Sequence, residues 1–173
     1  CCMVGPDNFQ IDTFDIIHKS IQLMHIMGSI FRQNNLESTS CGMLLRLGFG
    51  NDNKICNFDF DAKILDVTLP FSENGRSYSV LHSFVTAASA ELKRNFNIPD
   101  EEFHLQFFRK FSKNFSQKTK DRFKLNDYEI WNRFHSLLKF FDFSKTEVIE
   151  ILQIFSFMLT LNELGMTKAT LGK

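Results

Sequence analysis

Net charge is the first thing this sequence lacks: 20 Lys and Arg residues balance 20 Asp and Glu residues across 173 positions. A neutral chain gives no electrostatic case for nucleic acid or for an anionic membrane surface as a partner. Long hydrophobic runs are missing too. The longest candidate, residues 148–161, is interrupted by Glu150 and Gln153 and is too short to cross a bilayer. No signal-peptide pattern opens the chain. Tyrosine and tryptophan are scarce, with 2 and 1 copies against 21 phenylalanines, which favours a dry core over a polar binding surface. Cysteine is confined to Cys1, Cys2, Cys41 and Cys56. Their spacing fits neither zinc ligation nor a secreted disulfide framework, so reduced, cytoplasmic thiols are expected.

What is present is enough for one ordinary domain with a sizeable core. A short apolar strand (Cys1 to Val4) runs into the Gly5-Pro6 turn. Phe14, Ile17, Ile21 and Met24 then predict a helix over 13–27 with one buried face. Arg32 to Gly42 is polar and reads as a loop. From Met43 the period changes to two, and the turn chemistry of Asn51-Asp52-Asn53 predicts an antiparallel hairpin that returns through Cys56, Phe58 and Phe60. Helical spacing resumes at Ser77, with Leu81, Phe84, Val85, Ala88 and Leu92 on one face, and stops at Asn97-Ile98-Pro99. Residues 103–125 read as short helix or irregular chain, and Ile130, Phe134, Leu137, Leu138 and Phe141 as a further helix. Ser144-Lys145-Thr146-Glu147 is a capping box that opens a last helix, apolar nearly all round and expected to be central.

The first strand–turn–helix stands where a phosphate-binding loop would stand, without the residues such a loop uses. In Gly-x-x-x-x-Gly-Lys-[Ser/Thr], glycines let backbone N–H groups cradle phosphate, the lysine neutralises it and the hydroxyl holds Mg²⁺. Counted from Gly5, those later positions are Gln10, Ile11 and Asp12. One positive charge is lost and one negative charge gained where a triphosphate would sit.

Other candidates have plainer readings. Asp59 and Asp61 share the solvent side of a strand by alternation. His18 and His25 have no third ligand near them in sequence. His82 and His104 lack a neighbouring nucleophile, and Glu101-Glu102 reads as a solvated loop or helix start. The basic stretch Arg109 to Lys124, interleaved with phenylalanines, fits a solvated helix face with a buried opposite face better than a nucleic-acid site.

The order of these elements, with the words in them, resembles the motor domain of myosins. Gly75-Arg76-Ser77-Tyr78-Ser79-Val80-Leu81-His82-Ser83-Phe84 is similar to the family's E-R-[SN]-[YF]-H-[IV]-F-Y-Q helix. Ala87-Ala88-Ser89-Ala90-Glu91-Leu92-Lys93 is similar to the G-A-S-x-E-L-[KR] that follows. Phe134 to Leu164 resembles "F..L..AL..LGFS..E...I..ILAAILHLGNI", with Leu138 to Ser144 standing for the "LGFS" lead-in and Ile151 to Leu159 for the long helix. By the same resemblance the first strand–loop–helix corresponds to "GESG.GKT": Gly5 is kept, while Asn8 replaces the second glycine and Ile11 the lysine. Asn34 to Met43 corresponds to switch I, "N.NSSRFGK". There Asn35 is an aligned asparagine, Ser38 and Thr39 stand for the paired serines, Ser40 replaces the arginine, Gly42 keeps its place and Met43 replaces the lysine.

The resemblance implies an α/β, helix-dominated fold: part of a P-loop NTPase-type motor head, with a few strands of a larger mixed sheet and four to five packed helices. It divides the chain into a phosphate-loop unit (1–30), a switch-I-like loop and hairpin (31–71) and a helical upper part (72–173). Switch II and the actin-binding half would follow Lys173, so the chain reads as a piece of something longer with exposed apolar surface and a tendency to associate. The degenerate nucleotide positions are Gly5, Asn8, Ile11, Asp12, Asn35, Ser38, Thr39 and Ser40. No catalytic or metal-ligating residue is assigned, and ATP with Mg²⁺ would enter only as residual binding. The implied setting is cytoplasmic and cytoskeleton-associated, with actin the partner of the related family and a protein partner for this chain. An unrelated α-rich protein-interaction module is the alternative, or an ATP-binding actin motor within a longer chain.

Overall fold

The computed structural model describes residues 13–32, 35–51, 55–64, 75–98 and 116–171. Helix α1 (Thr13–Gly28) forms where the apolar spacing predicts it. Its buried side runs through Ile17 and Ile26, with Leu23 and Met27 against the core, while Phe14 points to solvent. Five strands follow: β1 (Ser29–Arg32), β2 (Asn35–Thr39), β3 (Cys41–Phe49), β4 (Ile55–Ile64) and β5 (Gly75–Tyr78). They pair antiparallel throughout, as a three-stranded sheet in the order β2–β1–β5 and a separate β3–β4 ribbon. The strand expected before Gly5 lies outside the described residues.

Two sequence expectations change here. The polar segment from Arg32 to Gly42 is mostly strand rather than loop. Asn, Ser and Thr favour turns because their side chains bond nearby backbone, but here β1 supplies the ladder, with Ser29 opposite Thr39 and Ile30 opposite Ser38. The turn narrows to Ser40. The second change is at Ser77, where helical spacing seemed to resume. Gly75–Tyr78 instead pairs with β1, placing Ile30 between Ser38 and Tyr78. Arg76, which the family likeness puts at a helix start, is therefore a strand residue.

The helices are α2 (Ser79–Ala87), α3 (Ala90–Asn95), α4 (Gln117–Phe140) and α5 (Lys145–Leu171). The continuous helix expected from Ser77 to Leu92 breaks at Ala88, whose backbone is extended. Ser89 then caps α3 by accepting the Leu92 amide at 3.2 Å, because a serine hydroxyl satisfies one of the orphan N–H groups of a new first turn. Ser116 does the same for α4 through Thr119, which carries that helix back into a region that looked irregular. The capping box of α5 forms as expected: the Glu147 amide donates to Ser144 Oγ at 3.3 Å, and the Ser144 amide donates to the Glu147 carboxylate at 2.7 Å. The Ser144 hydroxyl also donates to that carboxylate at 2.7 Å, and this bond, with the one from the Ser144 amide, holds the Glu147 carboxyl below its ordinary range.

Helices α3 and α4 end alike. Asn97 and Asp142 take left-handed φ values of 53° and 56°, a conformation that glycine adopts at least cost. In each case the next amide reaches back to a carbonyl in the last turn, Ile98 to Lys93 at 2.8 Å and Phe143 to Leu138 at 3.0 Å. This is the Schellman closure of a helix.

Helix α2 lies at the centre of the described core, with every residue from Ser79 to Val85 buried. Phe84 stacks on Trp131 at 5.5 Å and meets Phe96 and Phe155 at 6.0 and 6.2 Å. Thr86 Oγ1 donates to buried Asp127 at 3.2 Å, tying α2 to α4. The central place expected for α5 belongs to α2 instead. Leu152, Phe155 and Leu159 of α5 are buried, but Ile154, Phe157 and Leu161 are 58%, 62% and 51% exposed. A helix apolar all round therefore presents one seam to the core and another to solvent. Among the described residues no helix is long and apolar enough to cross a membrane.

Candidate functional site

The described part of the candidate site is the turn between β2 and β3, where it meets the end of α1. A helix leaves its last carbonyls without intrahelical partners, and Gly28 carries the final one. Three donors converge on it: the Ser40 amide at 2.9 Å, Ser40 Oγ at 3.2 Å and Thr39 Oγ1 at 3.2 Å. Thr39 Oγ1 also accepts the Cys41 amide at 3.1 Å, which closes the turn. Ser40 is almost wholly shielded, at 1% exposure.

Gly28 is required here for space, since no described glycine has a positive φ. A Cβ built on it would lie 2.9 Å from Cys41 Cβ, Cys41 Sγ and Thr39 Oγ1. The end of α1 and the turn thus fit only because position 28 has no side chain.

The electrostatics run against an anion. Phosphate is favoured at helix N-termini, where N–H groups point outward and the dipole is positive. Thr39 and Ser40 sit at a C-terminus, and their hydroxyls are directed at a carbonyl. Ser40 contributes no charge. The arrangement caps a helix and holds two strands in place, with the free thiol of Cys41 beside it.

Of the sequence-derived positions, the structure brings Thr39 and Ser40 together at Gly28, with Ser38 alongside in register with Ile30. Asn35 begins β2, opposite Arg32. Gly5, Asn8, Ile11 and Asp12 lie outside the described residues. Sequence reasoning missed Gly28 and Cys41. The available signal for Gly28 was its place directly after the helical stripe.

Glu101, Glu102 and His104 lie outside the described residues, and several other candidates are accounted for locally. Asp59 and Asp61 flank the Arg46 guanidinium at 2.8 and 3.6 Å, and Lys63 adds to Asp61 at 2.9 Å. His82 is buried in α2. His18 meets Gln22 one helical turn on, at 3.2 Å. Among the described residues no group of three or more His, Cys, Asp or Glu side chains is placed to hold a metal ion. Compared with protein-family models and with curated proteins, the sequence matches none.

Proposed function

We propose that this chain is part of a myosin-like motor domain whose nucleotide site has degenerated, leaving an interaction or scaffold role without ATPase or motor activity of its own. The observation that supports it most is where the two strongest family-like stretches meet. Val80, Leu81, Phe84 and Val85 from the first, and Phe134, Leu137, Leu138, Leu152, Phe155 and Leu159 from the second, share one core with Ile26 of α1. A second observation points the same way. Asp142 falls where the "LGFS" lead-in has glycine, and it adopts the left-handed φ that glycine favours.

The loss of activity follows from chemistry. Phosphoryl transfer relies on positioned positive charge and backbone donors around the transferring group. The lysine position is Ile11, the arginine position is Ser40, and the hydroxyls of Thr39 and Ser40 are engaged with Gly28. Cytoskeletal association belongs to this reading through a protein partner.

A thermal melt with and without Mg·ATP tests it, on the chain as it stands and after Gln10→Gly, Ile11→Lys and Asp12→Thr together. A ligand at a hundredfold over its Kd adds about 2.7 kcal/mol, enough to move a cooperative melt by several degrees. The expected result is a cooperative melt without a nucleotide shift in the unaltered chain. A clear shift there, or ATP hydrolysis, would overturn the degenerate site. A shift that appears after the triple substitution would support the motor ancestry of the loop.

A further inference from the structure

We propose that the turn on Gly28 is a latch, and that the β3–β4 ribbon is a flap that opens on it as one unit while the helical core stays folded. The two strands satisfy each other in an unbroken ladder from Cys41–Ile64 to Gly48–Asn57. Their main contacts to the other described elements are with α1. Met43, Leu47 and Phe49 face solvent, and among the described residues of the ribbon no side chain is buried. A two-stranded ribbon alone is marginally stable in water. What holds this one in position is concentrated at its base, in the Ser40 and Thr39 bonds to the Gly28 carbonyl and the contact between Gly28 and Cys41.

Breaking that cluster costs few interactions compared with opening α2. Proteins open first in units with little buried apolar surface. In the closed position the Ser40 amide and hydroxyl are engaged with the Gly28 carbonyl, and the open position releases Ser40 while Thr39 keeps its place opposite Ser29 in the ladder. A ligand or partner that recognises this loop therefore selects the open flap. This rests on the geometry alone and survives failure of the motor reading.

Hydrogen exchange on the full chain tests it, with maleimide labelling of Cys41 as a second readout and exposed Cys56 as the internal reference. Amides of 41–49 and 55–64 are expected to exchange together, at least about tenfold faster than those of α2 and α4. Ser40→Ala removes one hydroxyl bond and is expected to raise flap exchange and Cys41 labelling about fivefold, with α2 and α4 unchanged. Gly28→Ala, which drives a methyl into Cys41, is expected to exceed that. If Gly28→Ala does not fold, Ser40→Ala decides. Flap amides as slow as those of α2, no response to Ser40→Ala, or an equal response in core and flap would each overturn the proposal.

Discussion

Phe84 is completely shielded and touches Trp131, Phe96 and Phe155, whereas Phe49 on the β3–β4 ribbon is among the most exposed large side chains described. Both regions are rich in apolar residues, and both form regular backbone hydrogen bonds. They differ in what those bonds are joined to. In the core, helix ends are capped and side chains from four helices interlock, so removing one part loosens many others. In the ribbon, the strands satisfy each other, and among the described residues the ribbon is tied to the rest through α1 and the polar joint at Gly28. Apolar content alone did not decide which segment became core; the presence of a second face to pack against did.

The largest break in this comparison is expected from Phe84→Ala. Emptying the centre of the aromatic cluster should cost about 3–5 kcal/mol, read from a urea or thermal melt. A loss below about 1 kcal/mol would mean the core does not centre on α2. Ser144→Ala should cost about 1 kcal/mol by removing the cap that opens α5. Its partner effect is on acid behaviour, because Glu147 then loses the Ser144 hydroxyl bond, the larger of the two that hold its carboxyl low, and keeps the one from the backbone amide.

A change in pH sharpens the same contrast. Burial beside Trp131 and Phe134 holds the His135 imidazole below its ordinary value. The unfolded chain therefore takes up this proton first. The stabilising contribution is full above about pH 6.5, the ordinary imidazole value, and is lost as pH falls through it toward the lower folded value. His135→Phe should flatten that part of a melting-temperature profile, while an unchanged slope would assign it to other groups. The smallest effect is expected on the ribbon. Arg46→Ala removes an exposed pair network with Asp59 and Asp61 and should change global stability by less than about 1 kcal/mol. A loss comparable to that of Phe84→Ala would erase the distinction between the two regions.

Much of this division was legible in the residues. The helix over Thr13–Gly28, the ribbon from the alternation after Met43, and the Ser144–Glu147 capping box follow from period and local chemistry. The break at Ala88–Ser89 was harder, since Leu92 continues the apolar stripe across it and the cap competes with that stripe. The strand at Gly75–Tyr78 carried no alternating signal over four residues, and it exists because β1 offers an edge. At the candidate site, the sequence marked the hydroxyls of Ser38, Thr39 and Ser40 but not their direction. Serine and threonine serve a phosphate or a carbonyl equally well, and the choice depends on what lies opposite.

Local chemistry thus determined the helix over Thr13–Gly28, the alternation of the β3–β4 ribbon and the capping box at Ser144–Glu147. Those properties depend on neighbours a few residues apart. Tertiary structure decided that α2 rather than α5 is central, that a polar segment becomes strand, and that Thr39 and Ser40 turn to Gly28. Each of those outcomes depends on residues distant in sequence, whose approach no local period encodes. The last depends on a missing side chain at position 28, which matters only once Cys41 and Thr39 arrive there.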